Sequence, residues 1–306
     1  MTNHPNQHRK TPLWRSMLFV PAHLQRFVDK AHTRGADALI LDLEDSVPLA
    51  EKTAAREGVA AAAAKASSGG AEVLVRINAN LRLAIRDLEA VVAPGIRALV
   101  VPKVSSAEQL QAISEVVAEL EAEAGMQHLS TGLVAQIESP VALANVWRIA
   151  EADSRLLGLS LGTEDFSSAA GMQPNADSLL FPSQQIVFAA RVAGILPLGF
   201  VASIADFSDL QAFGETIQRA RALGFVGGFC IHPSQVDIMN AGFAPSSQEA
   251  AEARELVETY HRAHDQGRGA VEYKGKMVDF PVFERAQALL RTAQNVAERN
   301  RRKNDL

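Results

Sequence analysis

Eight short aliphatic runs, separated by helical, alanine-rich segments, constrain the fold of this chain more than any other feature. They occupy residues 16–20, 38–43, 73–77, 98–101, 133–137, 157–161, 196–201 and 228–231. A continuous run of Val, Leu, Ile and Ala is what a parallel strand buried on both faces requires, and the alternation with helices is that of a βαβα chain. Eight such units of about thirty residues each predict a TIM (β/α)8 barrel. An open doubly wound sheet needs no eighth unit and usually carries a glycine-rich phosphate turn after its first strand. Here the first run is followed by Pro21-Ala22-His23.

The unusual residues sit where the runs stop. The second run closes on Asp42, Glu44 and Asp45, the third on Arg76 and Asn78, and the fourth on Pro102 and Lys103. The fifth closes on Glu138, the sixth on Glu164 and Asp165, and the eighth on His232 and Pro233. In a barrel the C-terminal strand ends build the active site, whereas the opposite rim serves stability. If the fifth and sixth runs are neighbouring strands joined by a helix over 141–152, right-handed crossover brings Glu138 and Asp165 to one edge. Converging carboxylates with no Cys or His beside them suit a hard cation such as Mg²⁺, with substrate and water in the remaining positions. The plain alternative is that Glu138 caps the following helix and Asp165 opens a turn.

Composition narrows the function classes. The chain has 306 residues, is 47% hydrophobic with few aromatics, and carries a net charge of -5. Its basic residues are dispersed rather than striped, which argues against a nucleic-acid or membrane surface. The single cysteine, Cys230, excludes an internal disulfide and any CxxC site. No run approaches the roughly 18 apolar residues of a spanning helix, and the polar N-terminus lacks the apolar core of a signal peptide. A soluble, cytoplasmic protein is expected.

The expected layout is a disordered tail over 1–12, a barrel over 13–242, and a C-terminal helical extension over 243–306. In the extension, Ser246-Ser247 with Glu249 starts a helix through about residue 263. A short extended or hairpin stretch over 270–278 follows. Asp279-Phe280-Pro281 then opens a last helix, with Asp279 as its N-cap, that fades into the charged end at 298–306.

With these segments placed, the chain resembles the citrate lyase β-subunit-like branch of the HpcH/HpaI aldolase superfamily. The matching motifs are Arg15-Ser-Met-Leu-Phe-Val-Pro21, Leu41-Asp-Leu-Glu-Asp-Ser-Val-Pro48, Val75-Arg-Ile-Asn78, Val101-Pro-Lys103, Gln136-Ile-Glu-Ser139, Gly162-Thr-Glu-Asp-Phe166, Ile231-His-Pro-Ser-Gln-Val236 and Gly275-Lys-Met-Val-Asp279. Jointly they are specific for the family, though not for one substrate. The resemblance implies a Mg²⁺-dependent lyase that cleaves or forms a citryl-, malyl- or citramalyl-type thioester, of CoA or a carrier protein. The products would be a 2-oxo acid (oxaloacetate, glyoxylate or pyruvate) and an acetyl thioester.

It further implies Glu138 and Asp165 as the Mg²⁺ ligands, with Arg76 and Glu138 facing the substrate. Asp279 would come from a neighbouring subunit as general acid/base, so a homo-oligomer is implied, a trimer or a dimer of trimers. Arg15 is a further substrate-site candidate, although it begins its run rather than ending it. Glu44 and Asp45 hold water on the metal or orient Arg76, unless they simply start a helix. Lys103 is either a substrate-binding cation or, the favoured reading, an ion-pair partner at the mouth, and His232 is read as structural.

Two positions depart from the family: Ala22 stands where Gly is usual, and Gly228 where Lys is usual. The missing cation bears on the thioester end and motivates a second reading, an aldolase acting on free 2-oxo acids without CoA. A third reading is a non-catalytic binding subunit on the same scaffold. The sibling aldolase branch uses a His after its second strand; Glu44-Asp45-Ser46 argues against it.

Overall fold

In the computed structural model, residues 11–205 and 208–304 are described. The disorder expected of the N-terminal tail falls largely on residues 1–10, outside that range. The chain divides into two compact units, one ending at Phe243 and one beginning at Ala244.

Among the described residues of the first unit, eight strands form one parallel sheet: β1 (Ser16–Pro21), β2 (Ala38–Asp42), β3 (Glu72–Arg76), β4 (Ile96–Val101), β5 (Gly132–Ile137), β6 (Leu156–Leu161), β7 (Leu196–Leu198) and β8 (Gly228–Cys230). Their order is β7-β6-β5-β4-β3-β2-β1-β8. A parallel bridge between Leu198 and Gly227 closes the ring, reinforced by Val226 N–H to Pro197 O at 3.1 Å and Gly199 N–H to Gly227 O at 2.8 Å. The expected TIM barrel is present. A Cβ at Gly227 would lie 1.7 Å from the Trp14 carbonyl oxygen, so only glycine lets the closing segment approach the start of β1.

Among the described residues ten α-helices accompany the strands: α1 (Gln25–Ala31), α2 (Lys52–Ser67), α3 (Leu81–Val91), α4 (Ala107–Glu123), α5 (Pro140–Ala144), α6 (Val146–Ala150), α7 (Thr163–Ala170), α8 (Leu180–Val192), α9 (Leu210–Leu223) and α10 (Ser234–Gly242). The single helix expected over 141–152 is two. Asn145 breaks the ladder at φ -99° and ψ 3°, and its side-chain amide donates to Ser105 O at 3.0 Å. β7 stops earlier than its apolar run, because Gly199 at φ 143° turns the chain out of the ladder.

Strand residues alternate between two environments, as a period of two demands. Met17, Ile40, Leu74, Val100, Val134 and Phe229 fill the barrel interior, with Trp14 among them. Leu18, Leu41, Val75, Val101, Ala135 and Cys230 pack beneath the helices. Two residues beyond the interior layer, the same inward register places Phe19, Asp42, Arg76 and Gln136 at the C-terminal mouth, and two further along β5 it places Glu138 there.

The second unit comprises α11 (Ser247–Asp265), a hairpin of β9 (Val271–Tyr273) and β10 (Lys276–Val278), and α12 (Phe280–Asn304). Ser246 and Glu249 form the expected capping box. Lys274 and Gly275, both at positive φ, make the hairpin turn. Tyr260 stacks on Phe283 at 4.5 Å, joining α11 to α12. The last helix continues to Asn304, past the charged segment where it was expected to fade.

A buried acid ties β3 to its surroundings. Asp87 on α3 accepts from Asn78 N–H at 2.8 Å, from the Asn78 amide at 2.6 Å and from Arg56 Nε at 2.8 Å, and it is fully buried. Asp87→Ala is expected to destabilise the barrel by about 3–5 kcal/mol, because it strands a partly buried guanidinium. The loss reads as a lower urea unfolding midpoint; an unchanged midpoint would show the network to be dispensable.

Candidate active site

Asp42 and Arg76 are register partners on β2 and β3. The parallel pairing therefore sets a carboxylate beside a guanidinium at the mouth, and the two lock as a fork, Nε to Oδ1 at 2.7 Å and Nη2 to Oδ2 at 2.8 Å. Asp42 also accepts the N–H groups of Glu44 at 3.0 Å and Ser46 at 3.1 Å, which shapes the loop after β2. Burial works to raise the Asp42 pKa, but the Arg76 fork and these donors outweigh it and hold the carboxyl below its ordinary value. Burial works against the Arg76 charge too, and the Asp42 carboxylate outweighs it, so the guanidinium pKa is raised. Phe19 supports the guanidinium from one face, 4.6 Å from its ring centroid.

Glu44 extends this cluster. It is 4% exposed and lies 3.1 Å from both Arg76 Nη1 and Lys103 Nζ. Burial raises its pKa against the pull of those two cations. Asp45, 4.0 Å from Arg76 and 3.7 Å from Lys103, is exposed at the edge of the cavity. Lys103 is thus the ion-pair partner expected of it. Its backbone sits at φ 51° and its N–H donates to Glu138 Oε2 at 2.6 Å.

Glu138 is buried, and the helix cap it might have served is taken by Ser139, whose hydroxyl accepts Ala142 N–H at 3.2 Å. Its carboxyl is left to the mouth. Burial, followed by the negative charge of Glu44, pushes its pKa up to about 7; Asp165 adds to the rise and the Lys103 N–H opposes it. A Cβ on Gly162 would fall 2.5 Å from Glu138 Oε1, so glycine at this turn is what admits the carboxylate. Asp165 lies in the first turn of α7, exposed on the same cavity. Beside it, Glu164 accepts the Ser203 hydroxyl at 2.6 Å.

These side chains line a cavity of about 350 Å³ over the barrel interior. Among the described residues no three His, Cys, Asp or Glu side chains are arranged as a metal cage. Two carboxylates on one wall, one of them charged only at the expense of its acidic neighbours, do fit a hard divalent ion that completes its shell with water and substrate oxygens. The cavity also takes in Asp42, Gln136, Ser160 and Thr163, to which sequence reading assigned no role. Gln136 Oε1 and Thr163 Oγ1 are buried without a partner. The spacing Gln136-x-Glu138 was the available signal, since residues two apart share the inward face.

Neither Arg15 nor Asp279 is among the residues that line this cavity. Arg15, at the N-terminal end of β1, donates to Asp37 from Nε at 2.7 Å and from Nη2 at 3.0 Å, and to Asn240 O at 3.2 Å. It precedes its strand, so it belongs to the rim opposite the mouth. Asp279 lies in the second unit, where Oδ1 accepts Val282 N–H at 3.3 Å and caps α12. A side chain at position 228 would not enter the cavity either. Its Cβ would meet Gly199 and Met239 at 3.3 Å, on the face packed against helices.

Comparisons with known proteins agree with this geometry. The family model for HpcH/HpaI aldolase/citrate lyase matches residues 15–233. Citrate lyase subunit beta of Escherichia coli (strain K12) is 38% identical over 291 residues, covering 94% of this chain and 96% of that one. L-malyl-CoA/beta-methylmalyl-CoA lyase of Rhodobacter capsulatus is 33% identical, with 92% and 94% covered. Among solved structures, CitE from Mycobacterium tuberculosis in complex with magnesium, acetoacetate and coenzyme A superposes with a TM-score of 0.72 at 30% identity, over 91% of this chain and 97% of that one. Motifs, barrel and relatives converge, and the chain belongs to the HpcH/HpaI aldolase/citrate lyase family.

Proposed function

We propose that this protein is a Mg²⁺-dependent carbon–carbon lyase that cleaves, or in reverse forms, a citryl-, malyl- or citramalyl-type acyl thioester, giving a 2-oxo acid and an acetyl thioester. The observation that carries this reading is the single rim on which Glu138, Asp165 and the Asp42-locked Arg76 meet. The citrate lyase and malyl-CoA lyase relatives, and the CitE complex, support both the reaction class and the metal.

Cleavage breaks the bond between the carbinol carbon and the carbon α to the thioester. The carbinol hydroxyl releases its proton to water and its oxygen becomes the carbonyl of the oxo acid, while the electron pair of the broken bond passes to a thioester enolate that takes up a proton at carbon. Glu138 and Asp165 would hold the metal, which when bound would supply Lewis-acid stabilisation to the oxo acid's oxygens. Arg76 presents its remaining N–H groups to the carboxylate and the developing carbonyl, and its orientation is fixed beforehand by Asp42 and Phe19. Glu44 holds Arg76 and Lys103 together, which in turn sets the Lys103 N–H on Glu138. Asp279, supplied by a neighbouring subunit, protonates the enolate carbon in cleavage and deprotonates the acetyl methyl in condensation. This assignment makes the working form a homo-oligomer, a trimer or a dimer of trimers. The reading takes CoA as the thioester carrier and the cytoplasm as the setting where acyl-CoA and 2-oxo acids meet. Among the described residues no helix is long and apolar enough to cross a membrane.

Calorimetric titration of Mg²⁺ into EDTA-stripped protein tests the centre of this reading. Binding should tighten when pyruvate is present and vanish in Glu138→Ala; metal-independent turnover would overturn the assignment.

The Glu138 pKa near 7 sets a pH dependence. Below that value metal must displace a proton. Apparent Mg²⁺ affinity should therefore climb with pH up to about 7 and level off above it, with proton release seen as a buffer-dependent binding enthalpy. In the metal-free protein the folded state keeps this proton up to about pH 7, whereas an unfolded glutamate loses it near about 4.3. Stability should thus fall as pH rises between the two values, and Glu138→Gln should remove that fall.

Asp279→Asn should lower turnover by about a hundredfold or more while leaving Mg²⁺ and pyruvate binding intact. Mixed oligomers of Asp279→Asn and Glu138→Ala subunits should regain activity that neither variant has alone. Failure to complement would place both residues in one subunit.

A further inference from the structure

The walls of the mouth are divided by charge, and the division follows the strand order. Because β8 lies between β1 and the bridge to β7, these three strands form one continuous arc. That arc lines the cavity with Phe19, Phe200, Ile204, Phe229 and Ile231, all of them apolar. Phe19 meets Phe229 edge to face at 5.3 Å, and Phe213 braces Phe200 in the same way at 5.5 Å, so the wall is a packed surface. The facing arc, from β2 round to the start of α7, supplies Asp42, Asp45, Arg76, Glu138, Glu164 and Asp165: five carboxylates and one guanidinium. That guanidinium is already forked on Asp42. Lys103, paired with Glu44, is not among the lining residues.

Resting on the lyase reading above, we propose that the 2-oxo acid handled here carries a short alkyl substituent and no second carboxylate. The thioester cleaved then bears methyl or ethyl on its carbinol carbon. The oxo acid's carboxylate and carbonyl oxygen belong by charge to the half with Arg76 and the metal ligands. The substituent on the other side of the carbonyl carbon accordingly meets the Phe and Ile arc. A methyl or ethyl group leaves water for an apolar wall. A carboxymethyl group would lose its hydration with no cation to receive it among the described residues that line this arc, and it would face carboxylates that repel it. A bare hydrogen would leave the wall uncovered. Phe19, Phe229 and Ile231 are thus the specificity-determining residues, and the discrimination runs against dicarboxylates by charge and against glyoxylate by contact.

The test uses the full-length protein with Mg²⁺ and four probes: pyruvate, 2-oxobutyrate, glyoxylate and oxaloacetate. Each is titrated by calorimetry and assayed for condensation with acetyl-CoA. Pyruvate and 2-oxobutyrate should bind best. Glyoxylate should be about tenfold weaker, the worth of an alkyl contact, and oxaloacetate about a hundredfold weaker or more, for want of a partner to its second carboxylate. Ile231→Arg, at a position 41% exposed and so able to accept a longer side chain, should invert the order in favour of oxaloacetate by offering it a fork. Ile204→Lys provides the same reversal should the first variant fail to fold. Oxaloacetate binding as tightly as pyruvate in the unaltered protein would overturn the inference and leave the lyase reading standing. Folded variants that keep the original order would overturn the role of the wall. If none of the four probes binds, the lyase reading fails and this inference with it.

Discussion

The mouth of this barrel depends on one buried ion pair. Asp42 and Arg76 face each other across adjacent parallel strands, so the ladder that builds the sheet also sets the geometry of the fork. Taking both charges out of water is costly, and a pair of this kind is weak evidence for stability. Its value lies in orientation. Asp42 occupies two of the five guanidinium donors and Phe19 covers one face, which leaves a defined edge of Arg76 toward the cavity. Arg rather than Lys suits that task, because a planar fork held at one side keeps its direction at the other.

A second constraint is the crowding of carboxylates on the same rim. Glu138 sits buried between Glu44 and Asp165 and is reluctant to ionise. The fold nevertheless holds it there by the Lys103 N–H and by a glycine at position 162 that leaves room for nothing larger. On the proposed reading, local stability is given up for a group that gains a partner when a cation binds. Hydrophobic burial elsewhere offsets the loss, since the barrel interior and the layer beneath the helices are both tightly packed.

The barrel was legible in the sequence because its strands are aliphatic on both faces, and the acids at Glu138 and Asp165 stood out because charge interrupts those runs. The same two-sided burial hid the phase of each strand. With apolar residues on both sides, periodicity alone does not tell which residues face the axis, so Gln136 and Ser160 do not stand out in the sequence, and Asp42 stands out only as a strand-end acid without a partner assigned to it. Arg15 was legible as unusual, but its meaning turned on lying at the start of β1, where it pairs with Asp37. The break at Asn145 depends on a contact with Ser105, about forty residues away in sequence, which no local pattern carries. The position of Gly228 looked like a lost cation until the register of β8 set it against Met239.

Capping and catalysis are usually weighed as rival explanations for an acid at a helix start, and this chain separates the two cases. After β5, Ser139 takes the cap, so Glu138 is held by tertiary contacts and leaves helix α5 without any claim on it. At α12, Asp279 caps the helix itself, through one oxygen to Val282 N–H. A carboxylate has two oxygens and about four acceptor sites, so the cap orients the group and leaves its second oxygen for other work. On the proposed reading that second oxygen is the one that moves a proton.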